Sequence, residues 1–425
     1  MLARTLIHHL PAAIGSEVRI EGWILTRRDL GGISFAVVRD RSGTVQCVFQ
    51  HTPIPLQESA VRIVGTVVAQ ERAPGGVEIQ ATELVVISEA SEAPPIEINK
   101  ENFAANHDTL LAYRHISVRS PRTTNILRVL AGLVHEFRDG LRAEGFTEIF
   151  TPKLVSAGAE GGANMFEVDF YGKRGFLAQS PQLYKQIMVA VHERVFETAP
   201  VYRAEKSHTL RHLSEYISLD AELAFITNEH EVMDLEEQLL RRMFTNLAAT
   251  HGRELAQLGA TLPDVTTAFP RIPLLEARDI VANTYGHQPG GKDLDPEGER
   301  LISKWALAEH GSEFVFLTDF PAAARPFYTY PNGDGTTRGF DLIFRGVEIT
   351  SGGQRAHSEA VLRNELAARN LDPEQFADYL AVFQHGMPPH GGFAIGAERL
   401  TALTLGIDNV RFATAFPRDS QRLKP

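Results

Sequence analysis

The stretch EYISLDAEL, residues 215–223, alternates without a break. Apolar Ile217, Leu219, Ala221 and Leu223 fall on one side of an extended chain, and Ser218, Asp220 and Glu222 on the other. Such a strand lays one face on a hydrophobic layer and offers the other to charge chemistry or to water. Just upstream, VYRAE (201–205) puts Arg203 and Glu205 on a common face. The intervening KSHTLRHLS (206–214) is a loop that concentrates Lys206, His208, Arg211 and His212, which suits a polyphosphate or an RNA end. A merely solvated sheet face is the competing reading of these residues alone.

Three further segments carry compatible chemistry. In AQSPQLYKQ (178–186), Pro181 fits the first turn of a helix, and Gln182 and Lys185 share one face of it. An amide beside an ammonium suits a small acidic ligand. FDLIFRGVEITSGGQR (340–355) reads as two strands joined by a tight turn at Arg345–Gly346. That hairpin brings Asp341 and Glu348 to one face, where hard oxygens shared with substrate phosphates suit Mg2+. Gly352 and Gly353 would let a ligand approach the backbone, with Arg355 following on the same surface. In PPHGGFAIGAERL (388–400), Gly391, Gly392 and Gly396 precede a helix containing Arg399, a plausible anion site. The segment lacks the Lys-Ser/Thr ending of a P-loop, and the chain has no G-x-S-x-G elbow, no H-E-x-x-H and no Cys/His array.

The rest of the chain frames these segments. Its 425 residues exceed one core, so two domains are expected. A net charge of −11 argues against indiscriminate nucleic-acid binding but leaves room for a local basic face. The single Cys47 cannot form an internal disulfide, which fits a reducing cytoplasm, and no long apolar run calls for a membrane. Residues 1–97 hold five short period-two runs, VRIEGWIL, SFAVVRD, TVQCVF, VRIVGTVV and VEIQATELVVI. Their spacing predicts a five-stranded barrel of the oligonucleotide-binding kind, the OB-fold. Arg27, Arg28, Arg39 and Arg41 cluster there with Phe35 and Gln46: cations for phosphates, an aromatic ring for stacking and an amide for base edges. Core packing of the aromatic is the alternative. Residues 98–120 read as a polar linker with short helical pieces. From 121 to 425, helical and strand-like segments alternate, starting with TNILRVLAGLVHEFRDGLRAEG (124–145), which gives an α+β domain.

Taken in order, these segments resemble class II aminoacyl-tRNA synthetases, specifically the aspartyl enzymes of the shorter, archaeal type. EGFTEIFTPKL, with Pro152, looks like the first family motif; VYRAE…RHLSEYISLDAEL looks like the second and GGFAIGAERL the third. SAGAEGGANMF (156–166) looks like a loop that closes over the amino acid, with Ala159 and Asn164 departing from the usual residues. The resemblance implies an antiparallel sheet flanked by helices, a homodimer with the first motif at its interface, and ATP and Mg2+ as reaction partners.

It also implies roles. Arg203 would bind the α-phosphate and Arg399 the γ-phosphate. Tyr216 would stack on adenine and Glu205 would fix the base, with Arg211, His212, Leu213 and Gly396 completing the ATP site. Glu348, with Asp341 or Ser351, would hold Mg2+. Lys185 and Arg355 would neutralise the side-chain carboxylate of aspartate beside Gln182, while Asp220 and Glu160 take its ammonium group. Asparagine would leave those cations unpaired, and the sister asparaginyl enzymes generally lack the lysine. Arg28, Phe35 and Gln46 would read the anticodon of tRNA-Asp. Strict archaeal members tend to carry a tryptophan and a lysine where this chain has Leu25 and Pro74. Relaxed specificity that also accepts tRNA-Asn, with an amidotransferase downstream, is therefore expected. An asparaginyl-tRNA synthetase, an ammonia-dependent asparagine synthetase and a non-catalytic RNA-binding paralogue are the alternatives.

Overall fold

The protein, as a computed structural model, is described over residues 2–100, 105–156, 165–205 and 209–424. It divides into two compact units, Met1–Pro121 and Arg122–Pro425.

In the first unit the five period-two runs are strands β1 (Glu17–Asp29), β2 (Ile33–Asp40), β3 (Gly43–Gln50), β4 (Ala60–Ala69) and β5 (Val77–Ser88). They close into a barrel in the order β1-β2-β3-β5-β4, with only β3 and β5 parallel. Alternation does the work: Ala36, Val38, Val45, Cys47, Ile63 and Ile79 are fully buried inside, and the residues between them face outward. Burial also pushes the Cys47 thiol well above its ordinary value, so it stays protonated.

The second unit holds short strands β6 (Thr147–Glu148), β7 (Leu154–Val155), β8 (Glu167–Phe170) and β9 (Lys173–Leu177). Longer ones follow: β10 (Arg194–Tyr202), β11 (Glu215–Ala224), β12 (Arg271–Pro273), β13 (Phe314–Thr318), β14 (Gly339–Phe344), β15 (Val347–Arg355) and β16 (His390–Gly396). Eight form one sheet in the order β12-β13-β14-β15-β16-β11-β10-β6, antiparallel except at its two edges. Its apolar face, including Phe196, Leu219, Phe340, Leu342 and Phe393, packs on the helices Pro121–Ala143 and Glu229–Thr250. Stacked Phe314 and Phe344 rings, 4.3 Å apart, and a further Phe269 ring reinforce that layer.

The predicted Arg345–Gly346 turn joins β14 and β15, with both residues in the left-handed region (φ 50° and 80°), as a two-residue hairpin turn of this kind requires. A β-bulge follows. Ile343 pairs with Glu348 but Leu342 pairs with Thr350, so Ile349 has no opposite number. In unbroken register Thr350 would face Asp341. The bulge puts Ser351 there instead, and Glu348 and Ser351 come to line the same face although they are three positions apart.

Candidate active site

A cavity of about 440 Å³ opens over the polar face of β11, β15 and β16. Arg203, Glu205, Arg211, His212, Leu213 and Tyr216 line it from the loop and strand of the opening stretch. Gln182 reaches it from the helix Gln182–His192; Glu348, Ser351 and Arg355 reach it from β15, and Gly396 and Arg399 from the end of β16 and the helix after it. Most of the residues expected to bind ligands thus meet at one place. Glu160, Lys206 and His208, and with them the closing loop, lie outside the described residues.

Lys185 differs from expectation. It is 1% exposed and sits below the cavity wall rather than on it. Its Nζ donates to Asp220 Oδ1 at 2.9 Å and to the Phe393 carbonyl at 3.3 Å, and lies 3.3 Å from Glu222 Oε2. A fully desolvated ammonium must be paired, and the two acids of the alternating strand supply the charge. Arg355 Nε in turn donates to Glu222 Oε1 at 2.9 Å. Despite complete burial, the two cations hold the Glu222 carboxyl below its ordinary value. The floor is therefore a layer of two cations and two anions, and Asp220 is engaged by Lys185 and by the Ser218 hydroxyl.

Beneath it runs a neutral chain. Gln182 and the Tyr379 hydroxyl both donate to Gln186 Oε1, at 3.0 and 3.2 Å. Gln186 Nε2 lies 2.9 Å from His390 Nε2, whose Nδ1 is 2.9 Å from the Pro388 carbonyl. Nδ1–H must donate to that carbonyl, so Nε2 accepts from Gln186. Burial pulls the His390 pKa down to about 4, which keeps the ring neutral.

Two of the glycines are also required by the packing of the sheet. A Cβ on Gly392 would collide with the Ala221 carbonyl and the Glu222 carboxylate, so Gly392 makes room for the charged floor. A Cβ on Gly352 would run into the Phe340 ring on the core side. Both residues serve sheet packing, and Gly352 also lines the cavity.

On the cavity walls, Arg399 Nη1 donates to the Glu348 carbonyl at 2.7 Å, and Arg211 pairs with Glu299 at 3.0 Å. His212 Nε2 lies 3.7 Å from Glu205, while burial and three neighbouring arginines hold its pKa below the usual value. Burial, then the nearby Asp341, push the Glu348 carboxyl up. Asp341 keeps a buried Oδ1 with no hydrogen-bond partner among the described residues. Two adjacent, incompletely compensated carboxylates plus the Ser351 hydroxyl fit a hard divalent cation that takes its remaining oxygens from phosphates.

Glu398, in the first turn of the helix Ala397–Thr404, accepts from the Ile217 amide at 3.0 and 3.2 Å. Burial pushes its carboxyl from 4.5 up to about 7. The stabilisation from holding it protonated is complete below the unfolded value and is lost as pH rises through the folded one. Glu398→Gln keeps an acceptor that cannot ionise. Its stability relative to the unmutated protein is expected to improve by roughly 3 kcal/mol between about pH 5 and pH 8. Thermal unfolding across that range tests this; parallel curves for the two proteins would contradict it.

On the barrel, Arg28 pairs with Phe35 across β1 and β2, and Phe35 with Val48 on β3. Gln46, half-buried, donates to Glu78 Oε2 at 2.9 Å. Arg39 departs from the expected free cluster: it pairs with Glu58 and lies over Trp23, 5.1 Å from its ring centre. Leu25 is 5% exposed and falls at a register shift in β1, so it presents almost no surface to an RNA. The backbone of Pro74 opens the turn Pro74–Gly76 just before β5.

Sequence reading missed two residues of the site. Glu222 was legible as a polar-face residue, two positions from Asp220, yet its pairing with both cations required the neighbouring strand and helix. Arg325, from the irregular segment between β13 and β14, had no periodic signal at all.

Comparison with known proteins agrees with this architecture. Residues 106–420 match the family of tRNA synthetases class II (D, K and N), and residues 18–87 match an OB-fold nucleic acid binding domain. The Aspartate--tRNA(Asp/Asn) ligase of Deinococcus radiodurans is 56% identical, over 100% of this chain and 99% of the relative. The protein of the same name from Thermus thermophilus is 54% identical, over 99% and 100%. Among solved structures, the asparaginyl-tRNA synthetase of Pyrococcus horikoshii complexed with asparaginyl-adenylate superposes with a TM-score of 0.91, at 32% identity over 100% of both chains. With its barrel, its eight-stranded sheet and its motifs in order, the chain belongs to the class II tRNA synthetases of the D, K and N family.

Proposed function

We propose that the protein attaches L-aspartate to tRNA through an aspartyl-adenylate, on tRNA-Asp and also on tRNA-Asn. The observation that carries the amino-acid assignment is the charged floor. Lys185 and Arg355 supply two buried cations while Asp220 and Glu222 supply two anions, 2.9–3.3 Å from them. Substrate carboxylate and ammonium groups can join such a layer with every charge paired. Asparagine, nearly isosteric and neutral, leaves a buried cation short of a partner, and a site built on hydrogen-bonded charge rejects such an analogue strongly.

Gln182, Arg355, Asp220 and Ser351 orient aspartate, with Glu160 as a further ligand of its ammonium group. Its α-carboxylate oxygen attacks the α-phosphorus of ATP, and the bond to pyrophosphate breaks in line. Arg203 stabilises the charge that develops on the α-phosphate, and Arg399 holds the γ-phosphate. Glu205, Arg211, His212, Leu213, Tyr216 and Gly396 seat the nucleotide. Glu348, Asp341 and Ser351 are the residues that would hold Mg2+, which would supply charge neutralisation at the phosphates. The rest is positioning and electrostatic stabilisation, with no covalent group from the protein. The aspartyl group then passes to a 3′-terminal hydroxyl of the tRNA, with pyrophosphate and AMP as products.

Residues 1–97 serve as the anticodon-binding domain through Arg28, Phe35 and Gln46, residues 98–120 as the linker and residues 121–425 as the catalytic domain. The dual names of the Deinococcus and Thermus relatives support charging of both tRNAs. Pro74 and Leu25 remain the positions to which we assign the relaxation; with its side chain buried, Leu25 acts through the shape of β1. A homodimer in the cytoplasm, working ahead of a tRNA-dependent amidotransferase, completes the reading. Among the described residues no helix is long and apolar enough to cross a membrane.

Initial rates of charging unmodified tRNA-Asp and tRNA-Asn transcripts with labelled aspartate are expected to lie within about tenfold of each other, a difference of about 1.4 kcal/mol. Charging of tRNA-Asp alone would remove the dual specificity. Charging with asparagine in place of aspartate would replace the amino-acid assignment.

A further inference from the structure

Arg325 has no part in the functions assigned above, yet it lies at the metal subsite. Its segment runs from a short turn, Ala322–Ala324, into the cavity wall. Its side chain is 8% exposed. Nη2 lies 2.7 Å from Asp341 Oδ2, and Nη1 donates to Ser351 Oγ at 2.9 Å. The guanidinium carbon lies over the Phe320 ring, 3.5 Å from its centre. Gly339 leaves the space for it, since a Cβ there would come within 3.3 Å of Arg325 Nε. Two of the three residues suited to a divalent cation are thus already held by a cation belonging to the chain. A guanidinium fork is pre-organised for this task, and the aromatic ring fixes its plane.

We propose that Arg325 is the built-in counter-ion of the metal subsite. It orients Asp341 and Ser351, and it keeps the affinity of the nucleotide-free protein for divalent cations low. The metal is then recruited with the phosphates of the nucleotide instead of residing on the protein. The inference rests on the proposed function for the identity of the subsite. Asp341 can serve both cations, Oδ2 toward Arg325 and the unpartnered Oδ1 toward a metal, but the positive charge next door opposes the second. Arg325 is in this sense a positioning residue, acting through Asp341 and Ser351.

The test is direct binding of Mn2+ to the nucleotide-free protein, read from the electron paramagnetic resonance signal of free Mn2+. Arg325→Gln removes the charge and keeps a donor for Ser351; Arg325→Lys keeps the charge. Arg325→Gln is expected to bind Mn2+ at least tenfold more tightly than the unmutated protein, and Arg325→Lys within about threefold of it. Adding Asp341→Asn to Arg325→Gln should abolish the gain. Equal or weaker binding by Arg325→Gln, in protein whose melting curve shows it folded, would overturn the proposal. So would tight binding that survives the double substitution, because the ion would then sit elsewhere. If Arg325→Gln does not fold, Arg325→Met, which keeps an apolar contact for the Phe320 ring but no charge, is read against the same tenfold expectation, and binding no tighter than that of the unmutated protein overturns the proposal. None of these readings depends on aspartate or tRNA. Failure here therefore leaves charging activity intact, and failure of charging leaves the Mn2+ comparison standing.

Discussion

Lys185→Met is expected to abolish aspartate-dependent ATP–pyrophosphate exchange and to lower stability by about 3–5 kcal/mol. Both effects follow from one geometry. The ammonium is 1% exposed, and its partners Asp220 and Glu222 are 1% and 0% exposed. Methionine fills nearly the same volume, so little of the cost comes from a cavity. It comes from the loss of the cation that Asp220 and Glu222 share: Arg355 still pairs with Glu222, while Asp220 keeps the Ser218 hydroxyl but no ammonium. The layer can relieve itself by protonating an acid, which shifts the charge balance proposed above to select aspartate over its neutral analogue. Exchange assays with aspartate and with asparagine, beside thermal unfolding, separate the consequences. Aspartate-dependent exchange persisting near the original rate would remove Lys185 from amino-acid recognition. Unchanged unfolding would show that the buried pairs contribute nothing net.

How much of this was legible in the sequence depended on whether periodicity or long-range pairing set the position. The barrel and the core face of β11 came from period-two runs, because one buried face constrains every second residue. The alternation of Ile217, Leu219, Ala221 and Leu223 assigned both faces of β11 correctly. Contacts bridging distant segments were not legible. Lys185 meets Phe393 across 208 residues, and no local pattern tells whether a helical lysine reaches a cavity or the layer beneath it. The bulge at Ile349 was equally hidden: Thr350 and Ser351 are interchangeable to a pattern, and the register of β14 against β15 alone decides which faces Asp341. Gly391, Gly392 and Gly396 read as an anion site, and Gly352 and Gly353 as a place where a ligand approaches the backbone, because glycine allows close approach. The approaching groups at Gly392 and Gly352 turned out to be the protein's own carbonyls, carboxylate and ring.

Arg203→Ala is expected to lose exchange, as Lys185→Met does, but to keep its stability. Exchange should fall by about 10²–10³, with stability changed by no more than about 0.5 kcal/mol. The Arg203 side chain is 40% exposed and lies 3.9 Å from a Glu205 carboxylate that is itself 32% exposed. Solvent screens such a pair, so little folding energy rides on it. The backbone is held independently, since the Arg203 amide donates to the Ser214 carbonyl at 2.9 Å and this bond survives truncation. In the proposed role, truncation removes a cation acting on charge that develops only during transfer, so the deficit should fall mainly on kcat. Arg399→Ala makes a useful contrast, because Arg399 also holds the Glu348 carbonyl at 2.7 Å and its loss should disturb that strand as well. A fall in exchange that tracks a fall in melting temperature would assign Arg203 to structure and move the α-phosphate site elsewhere. A fall without one, with the aspartate KM nearly unchanged, is the signature of a group that acts on the transition state.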